Sequence, residues 1–182
     1  DYHTIFNNPN HWWKMHTEGS KPIEQETLLN DLRKSMKPFE ERTCKIFSNI
    51  HLALDRHGDR TSAINALYNK PELIVIASQH LSRSQTWNEM CKYSFVLSPF
   101  GNGYDCHRTW EALCLGAIPI VRAKHFNQLF ADLPVLNVDE WSDVTQELLQ
   151  NTIIEFKKRE FKYEKLTLKY WSDQMLGSQT TA

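Results

Sequence analysis

Short apolar segments that alternate with amphipathic segments are the feature of this sequence that most constrains its fold. LIVIAS (73–78), SFVLSP (94–99) and AIPIV (117–121) are apolar along most of their length rather than at every second residue. Strands that are buried on both faces have this composition, because helices cover each side of a parallel sheet. Helical patterns of roughly 10 residues lie between them. The alternation predicts an α/β domain with a Rossmann-like, doubly wound parallel sheet.

The predicted elements divide the chain into three parts. Residues 1–40 are expected to form a connecting arm and a helix over 23–36, and residues 161–182 a C-terminal helix over 165–175 and a tail. The part between them, 41–160, is predicted to be the Rossmann-like domain. Its expected strands are 44–50, 73–78, 94–99, 117–121 and 135–138, and its expected helices are 62–68, 84–92, 105–115, 126–130 and 142–158.

The charge balance excludes several classes of partner. The 182 residues include 21 Lys and Arg against 22 Asp and Glu, for a formal net charge of −1. This balance creates no global field that would attract nucleic acid, so we expect no nucleic-acid partner.

No apolar run approaches the roughly 20 residues that span a bilayer, and we expect no membrane segment in this chain. Because the chain opens at Asp1 rather than Met, we expect it to be part of a longer protein.

The cysteines bear on the cellular compartment. Cys44, Cys91, Cys106 and Cys114 show no C-x-x-C spacing, and most of them lie in apolar or helical patterns. We expect reduced thiols that pack as small hydrophobic side chains. Reduced cysteines favour the cytoplasm. The Golgi or endoplasmic reticulum lumen stays an alternative if a preceding segment anchors the protein there.

Glycines are concentrated at one turn. The chain has only six, yet Gly101 and Gly103 directly follow the apolar segment that ends at Pro99. A glycine turn between a strand and a helix lets backbone N–H groups approach a phosphate, and the helix N-terminus adds partial positive charge. Arg108 follows about one turn into the helix, where its planar guanidinium can bind a diphosphate through two hydrogen bonds. Glu111 lies on the same helical face and can accept hydrogen bonds from a ribose diol.

The same residues also have a purely structural explanation. Asp105 can cap the helix and form an ion pair with Arg108, while Glu111 remains solvated. Two standard phosphate motifs do not match, because the third glycine of the dinucleotide-binding motif and the G-K-[ST] of a P-loop are absent from the sequence. Neither NAD binding nor ATP hydrolysis is therefore indicated.

Residues 93–121, YSFVLSPFGNGYDCHRTWEALCLGAIPIV, resemble the C-terminal half of exostosin-like glycosyltransferases with the GT-B architecture. The shared pattern is a strand that ends in S/A-P-x-G, a polar loop, an arginine, and an acidic residue followed by A-L and G-x-I-P-I-V. DLPVLNVDEW (132–141) extends the similarity. Weaker similarity in DYHT, QETLLNDL and RTCKIFSNIHL carries it over most of the chain, but only 98–121 is specific.

The resemblance implies a nucleotide-sugar donor, commonly a UDP-sugar, and transfer of its sugar to a hydroxyl of a glycan or protein. It implies that Arg108 contacts the diphosphate and Glu111 the ribose, and that both serve catalysis. We expect inversion and no metal or other cofactor, because GT-B enzymes generally work without a divalent ion and the sequence has no D-x-D motif or histidine cluster. The loop residues implied to line the donor are Ser98, Pro99, Gly101, Asn102, Gly103 and Asp105.

The chain departs from the family in one large respect. The acceptor-binding N-terminal half, which is expected to supply the general base in inverting members, is not in this chain. On this interpretation the missing half is a partner, along with the donor and the acceptor. Residues 41–160 are then the donor-binding domain, and the helix within 161–182 crosses back to the missing half. The alternative is a non-catalytic nucleotide- or anion-binding module with the same fold.

The other strand ends supply further candidate donor-binding residues. Asn49 follows the first strand, and Arg60 in DRHGDR is expected to approach the phosphates from the opposite wall. Ser78 and Arg83 border the segment after the second strand, where GT-B enzymes usually hold the base. The alternative for Arg60 is a solvated position at a helix start, and for Arg83 a position on the surface. The basic cluster at 122–125 is interpreted as solvated more readily than as functional.

Overall fold

Five parallel strands form a single sheet in the computed structural model, which describes residues 22–50, 55, 57–78, 81–101, 103, 106–122 and 127–177. The sheet order is β2-β1-β3-β4-β5, and every neighbouring pair is parallel. The predicted α/β fold with a doubly wound parallel sheet is therefore confirmed. The strands are β1 (Thr43–Ser48), β2 (Ile74–Ile76), β3 (Tyr93–Leu97), β4 (Ile118–Val121) and β5 (Leu136–Asn137).

Helices follow the strands and cover both faces of the sheet. The α-helices are α1 (Pro22–Ser35), α2 (Asp59–Leu67), α3 (Arg83–Met90), α4 (His107–Cys114), α5 (Asn127–Phe130), α6 (Gln146–Phe156) and α7 (Leu168–Gly177). Short 3-10 helices lie at Phe39–Glu41, Trp141–Asp143 and Tyr163–Leu166. In the part of the chain that the structure describes, no helix is both long and apolar enough to cross a bilayer.

Two apolar clusters, one on each face of the sheet, explain why the central strands are apolar at successive positions. Successive strand residues point to opposite faces. On one face, Ile46 of β1 packs in a cluster with Leu149 of α6. On the other face, Phe47 packs with Trp87 of α3 and Ala112 of α4. Each of these side chains is at most 1% exposed. A polar residue in place of Ile46 or Phe47 would therefore be buried away from water, whichever face of the sheet it pointed to.

Helix α1 packs on the sheet domain itself. Its residues Leu28, Leu29 and Leu32 contact the cluster that contains Phe47 and Trp87. The helix between Pro22 and Ser35 is therefore held by apolar contact with the strands and with α3 rather than extending away from them.

Arg42 stabilises the packing of α1 on the domain through hydrogen bonds at the amino ends of the strands. Its Nε donates to the carbonyl of Lys37 at 2.7 Å, and its Nη2 donates to the carbonyl of Leu115, just after α4, at 2.8 Å. A cation satisfies such carbonyls well, because the last carbonyls of a helix have no partner within it. Gly116 has φ 67, and an added Cβ would lie 3.0 Å from Nη2 of Arg42 and 3.1 Å from Met36. A side chain there would both strain the backbone and displace the guanidinium.

In two helices a capping side chain explains why the start differs from the predicted position. Helix α2 starts at Asp59 rather than at residue 62, because the Asp55 carboxylate accepts the N–H groups of Arg60 and Thr61. The segment predicted as one helix over 142–158 begins as a 3-10 turn, and α6 starts only after Thr145, whose hydroxyl accepts the N–H of Leu148 at 3.1 Å.

Candidate functional site

The candidate site lies where the sheet order changes direction, between β1 and β3. In doubly wound sheets the chain connections leave this point toward opposite faces and open a crevice at the carboxyl ends of the strands. Asn49 follows β1 and Ser98 follows β3 at this edge. The first turn of α2 brings Arg60 to the crevice, and the first turn of α4 brings Arg108.

The two arginines form the electrostatic centre of the site. Arg60 is 6% exposed and Arg108 is 8% exposed. Burial, and then the positive charge of Arg108, lower the pKa of Arg60 below its ordinary value. Among the described residues, no carboxylate lies within ion-pair distance of Arg108. Like charges that are buried together cost free energy, which an anion bound between them would recover.

The loop after β3 is anchored to Arg60. The carbonyl of Phe100 accepts from Nε of Arg60 at 3.3 Å, and the N–H of Gly101 donates to the carbonyl of Gly103 at 3.2 Å. A Cβ added to Gly101 would lie 3.3 Å from Nη2 of Arg60 and 3.4 Å from Cβ of Cys106. A side chain at 101 would therefore require the guanidinium of Arg60 to shift by a few tenths of an ångström.

Asp59 holds the loop and was not singled out from the sequence. Its carboxylate, 5% exposed, accepts the N–H of Phe100 at 2.8 Å and the indole N–H of Trp141 at 2.9 Å. It also pairs with Arg122 at 2.9 Å, and Arg122 in turn pairs with Glu140 at 2.9 Å. The only local signal was an acidic residue shortly before the helix predicted over 62–68. Arg122 is thus a structural ion-pair partner, and the remaining residues of the 122–125 cluster lie outside the described residues.

Cys106 lies at the N-cap of α4, and its thiol contacts Ser98, Thr109 and Arg108. Its Sγ is 3.2 Å from Oγ of Ser98 and 3.8 Å from Oγ1 of Thr109, and it accepts from Nη1 of Arg108 at 3.9 Å. Burial raises the pKa of the Cys106 thiol, but the charge of Arg108 and hydrogen bonds from Ser98 and Thr109 outweigh burial and bring the pKa below its ordinary value. The sequence interpretation of this cysteine as a small hydrophobic side chain misses that environment.

Glu111 is tied to Arg83 across the gap between α4 and α3. The two side chains are 15% and 14% exposed, and Nη1 of Arg83 donates to Oε1 of Glu111 at 2.9 Å. The guanidinium also lies over the ring of Trp87, 5.5 Å from its centroid. The two alternatives of a solvated Glu111 and a surface Arg83 therefore do not describe the structure. An ionised carboxylate has acceptor capacity for more than one donor, so the pair is compatible with the predicted ribose contact.

His107 begins α4 next to these groups. The residue is exposed overall, but its neighbours partly desolvate the imidazole, which lowers its pKa. The charges of Arg108, Arg83 and Arg60 lower the pKa further, and Glu111 opposes them. The imidazole is therefore expected to be neutral near neutral pH.

The remaining predicted donor-binding residues differ in their burial and contacts, and two of them lie outside the described residues. Nδ2 of Asn49 donates to Oγ1 of Thr86 at 3.1 Å, while Ser78 is exposed at the end of the segment after β2. Pro99 is buried beside the loop. Asn102 and Asp105 lie outside the described residues, so the proposed ion pair of Asp105 with Arg108 stays a prediction. Within the described ranges, no group of three or more His, Cys, Asp or Glu could hold a metal ion.

A scan of protein-family models gives no match for this chain, and neither does a search of curated proteins. The exostosin-like resemblance of residues 93–121 therefore stays a prediction. The features of the described residues that bear on function are the two buried arginines and the loop beside them.

Proposed function

We propose that this chain is the donor-binding half of an exostosin-like glycosyltransferase, which transfers a sugar from a UDP-sugar to a hydroxyl of a glycan or protein with inversion. One observation carries the proposal. Arg60 and Arg108 are both buried beside the segment that joins β3 to α4, and Arg108 has no carboxylate partner among the residues described. A buried pair of guanidinium groups at the carboxyl ends of parallel strands suits a diphosphate.

The arginines would assist departure of the diphosphate. As the acceptor oxygen bonds to the anomeric carbon, the bond from that carbon to the phosphate oxygen breaks, and its electron pair leaves with UDP. Arg60, Arg108 and the N–H groups at the start of α4 stabilise this growing charge more in the transition state than in the ground state. The proton of the acceptor hydroxyl passes to a general base, which the resemblance assigns to the half of the enzyme that is not in this chain.

Glu111 and Arg83 would orient the nucleoside. A ribose diol can donate to the carboxylate of Glu111 while the hydrogen bond from Arg83 holds that carboxylate in place. Asn49 and Ser78, at the ends of the two neighbouring strands, are then proposed to lie toward the base. These contacts would select a nucleoside diphosphate over pyrophosphate.

A second candidate function is a nucleotide-binding module without transfer activity. The observation that favours it is that Asp59 and Glu111 are each paired with an arginine, Arg122 and Arg83 respectively. Neither carboxylate is therefore available to remove the proton from an acceptor, so transfer would depend wholly on a base outside this chain. Such a module would bind UDP as proposed and would release no UDP from a UDP-sugar, even in the presence of the preceding half of the protein.

Titration calorimetry with UDP tests the binding site. Arg108→Ala should weaken UDP binding by about 1.5–3 kcal/mol, which is typical of a hydrogen bond to a charged group. The matched control is Arg33→Ala, which removes the same charge from an exposed position of α1. Equal affinities of the two variants would remove Arg108 from the site. Release of UDP from a UDP-sugar by a longer form of the protein, and its loss in Arg108→Ala, would separate the enzyme from the module.

A further inference from the structure

Thr86 carries a buried hydroxyl that the fold places beside Asn49 at the proposed site. It lies in the first turn of α3, is 8% exposed, and its Oγ1 accepts from Nδ2 of Asn49 at 3.1 Å. Among the described contacts, this is the only one that its hydroxyl makes. Asn49 is partly exposed directly after β1, where the sheet order changes direction. A ligand can therefore contact Asn49, whereas Thr86 can act on that ligand only through Asn49.

Helix α3 joins this contact to the predicted ribose contact. Arg83 lies one turn before Thr86 on α3, and its Nη1 donates to Oε1 of Glu111 at 2.9 Å. Residues that are three positions apart are neighbours on one face of a helix. The base of a nucleoside whose ribose binds Glu111 would then lie near the contact of Thr86 with Asn49.

The amide of Asn49 has two unlike ends, and its hydrogen bond to Thr86 distinguishes them. One N–H of Nδ2 is used by Thr86, which leaves the second N–H and Oδ1. In the part of the chain that the structure describes, neither of these has a hydrogen-bond partner. An amide held in this way offers one donor and one acceptor side by side. Uracil presents the complementary pair, because its N3–H lies beside the O4 carbonyl, whereas cytosine presents an acceptor at N3 beside an amino group.

We propose that Thr86 is a positioning residue that fixes the amide of Asn49 so that the site binds uracil in preference to cytosine. This inference rests on the proposed function, which places a nucleoside diphosphate in the crevice. With Oδ1 toward N3–H and Nδ2 toward O4, both hydrogen bonds form with uracil. The same orientation sets Oδ1 against the lone pair of cytosine N3 and Nδ2 against the cytosine amino group. Cytosine would leave these polar groups unpaired, and a site built for hydrogen bonds discriminates strongly on that basis.

Titration calorimetry with UDP and CDP tests the proposal, because the two ligands differ only at this edge of the base. The unaltered chain should bind UDP at least about tenfold more tightly than CDP, as expected for a contact of two hydrogen bonds with a base edge. Thr86→Val keeps the size of the side chain and removes the hydroxyl, so the ratio of the two affinities should fall about threefold to tenfold. Thr86→Ser retains a hydroxyl and should retain the ratio.

Matched variants separate positioning from a purely structural role. Thr152→Val removes a similarly buried hydroxyl, which donates to the carbonyl of Leu148 at 2.7 Å on α6, at the other face of the sheet. It should leave the UDP to CDP ratio unchanged even if it lowers stability. Asn49→Ala should bring the ratio close to one, whereas Asn88→Ala, at an exposed position of α3, should not change it. Asn49→Ala also keeps the proposal testable if Thr86→Val does not fold.

Three results would overturn the inference: equal binding of UDP and CDP by the unaltered chain, an unchanged ratio in Thr86→Val, or an equal fall of the ratio in Thr152→Val. In each of these results UDP still binds, so the proposed function stands while the inference fails. If the unaltered chain binds neither UDP nor CDP, the proposed function fails and the inference fails with it.

Discussion

Removal of the Asp59 carboxylate should cost the domain much of its stability. The side chain, 5% exposed, accepts from the N–H of Phe100 at 2.8 Å and from the indole N–H of Trp141 at 2.9 Å. Asp59→Ala leaves both donors without their acceptor, at about 1–3 kcal/mol each. The ion pair with Arg122 adds less than about 1 kcal/mol, because that side chain is 32% exposed and solvent screens it. We expect a total loss of about 3–5 kcal/mol, as for a buried pair that loses one partner.

Urea unfolding followed by tryptophan fluorescence measures this loss. Asp59→Asn retains one oxygen and should lose only about 1–3 kcal/mol, which keeps the experiment informative if Asp59→Ala does not fold. Asp31→Ala is the matched control, since it removes an exposed carboxylate of α1 that pairs only with Lys34 in the described contacts, and it should cost less than about 0.5 kcal/mol.

The same variants test whether Asp59 positions the site as well as the fold. Asp59 holds Phe100, and the carbonyl of Phe100 accepts from Arg60. Asp59→Asn should therefore weaken UDP binding under conditions where the variant is fully folded. A loss of less than 1 kcal/mol of stability in Asp59→Ala, with an unchanged urea dependence, would refute the structural role. A large stability loss with unchanged UDP affinity would separate the loop from the site.

Three further outcomes are expected. Glu111→Gln should weaken UDP binding more than pyrophosphate binding in calorimetry, because only UDP has a ribose, and equal losses would refute the ribose contact. Gly101→Ala should weaken UDP binding while the far-ultraviolet circular dichroism stays unchanged, because its Cβ would lie 3.3 Å from Nη2 of Arg60; unchanged affinity would place the anion elsewhere. Hydrogen bonds from Lys165 and a neighbouring lysine lower the pKa of Asp132 below 3.8, so its stabilisation is present above that value and is lost as the pH falls through the lowered pKa. The difference in melting temperature between Asp132→Asn and the unaltered chain should therefore be full near pH 7 and vanish in strong acid, and a constant difference would contradict it.

The fold was predictable because its signal is local. Strands β2, β3 and β4 lie at apolar runs, since burial on both faces leaves no alternation to interpret. Strands β1 and β5 include the polar residues Lys45, Ser48 and Asn137. Helix starts were less predictable, because they depend on single capping side chains. Asp55 shifts the start of α2 toward the N-terminus, and Thr145 shifts the start of α6 toward the C-terminus, relative to the predicted positions.

The candidate site was predictable only in part. The turn after β3, with Gly101 and Arg108, is local in sequence, and the resemblance of residues 93–121 rests on it. The contact of Arg83 with Glu111 joins residues 28 positions apart, and each was predicted separately without the other as its partner. Periodicity and spacing describe neighbours within one element, whereas these contacts depend on how α3 and α4 pack on the sheet.

Local pattern was thus sufficient for the parallel sheet and for the turn between β3 and α4, because both follow from residues that are close in the chain. The tertiary structure alone decided that Asp59 would meet Phe100, 41 positions away, and Trp141, 82 positions away. It likewise decided that Cys106 would face Ser98 and Arg108 rather than an apolar core. The physical reason is that strand order determines which loops share the crevice, and strand order is set by the packing of both faces at once.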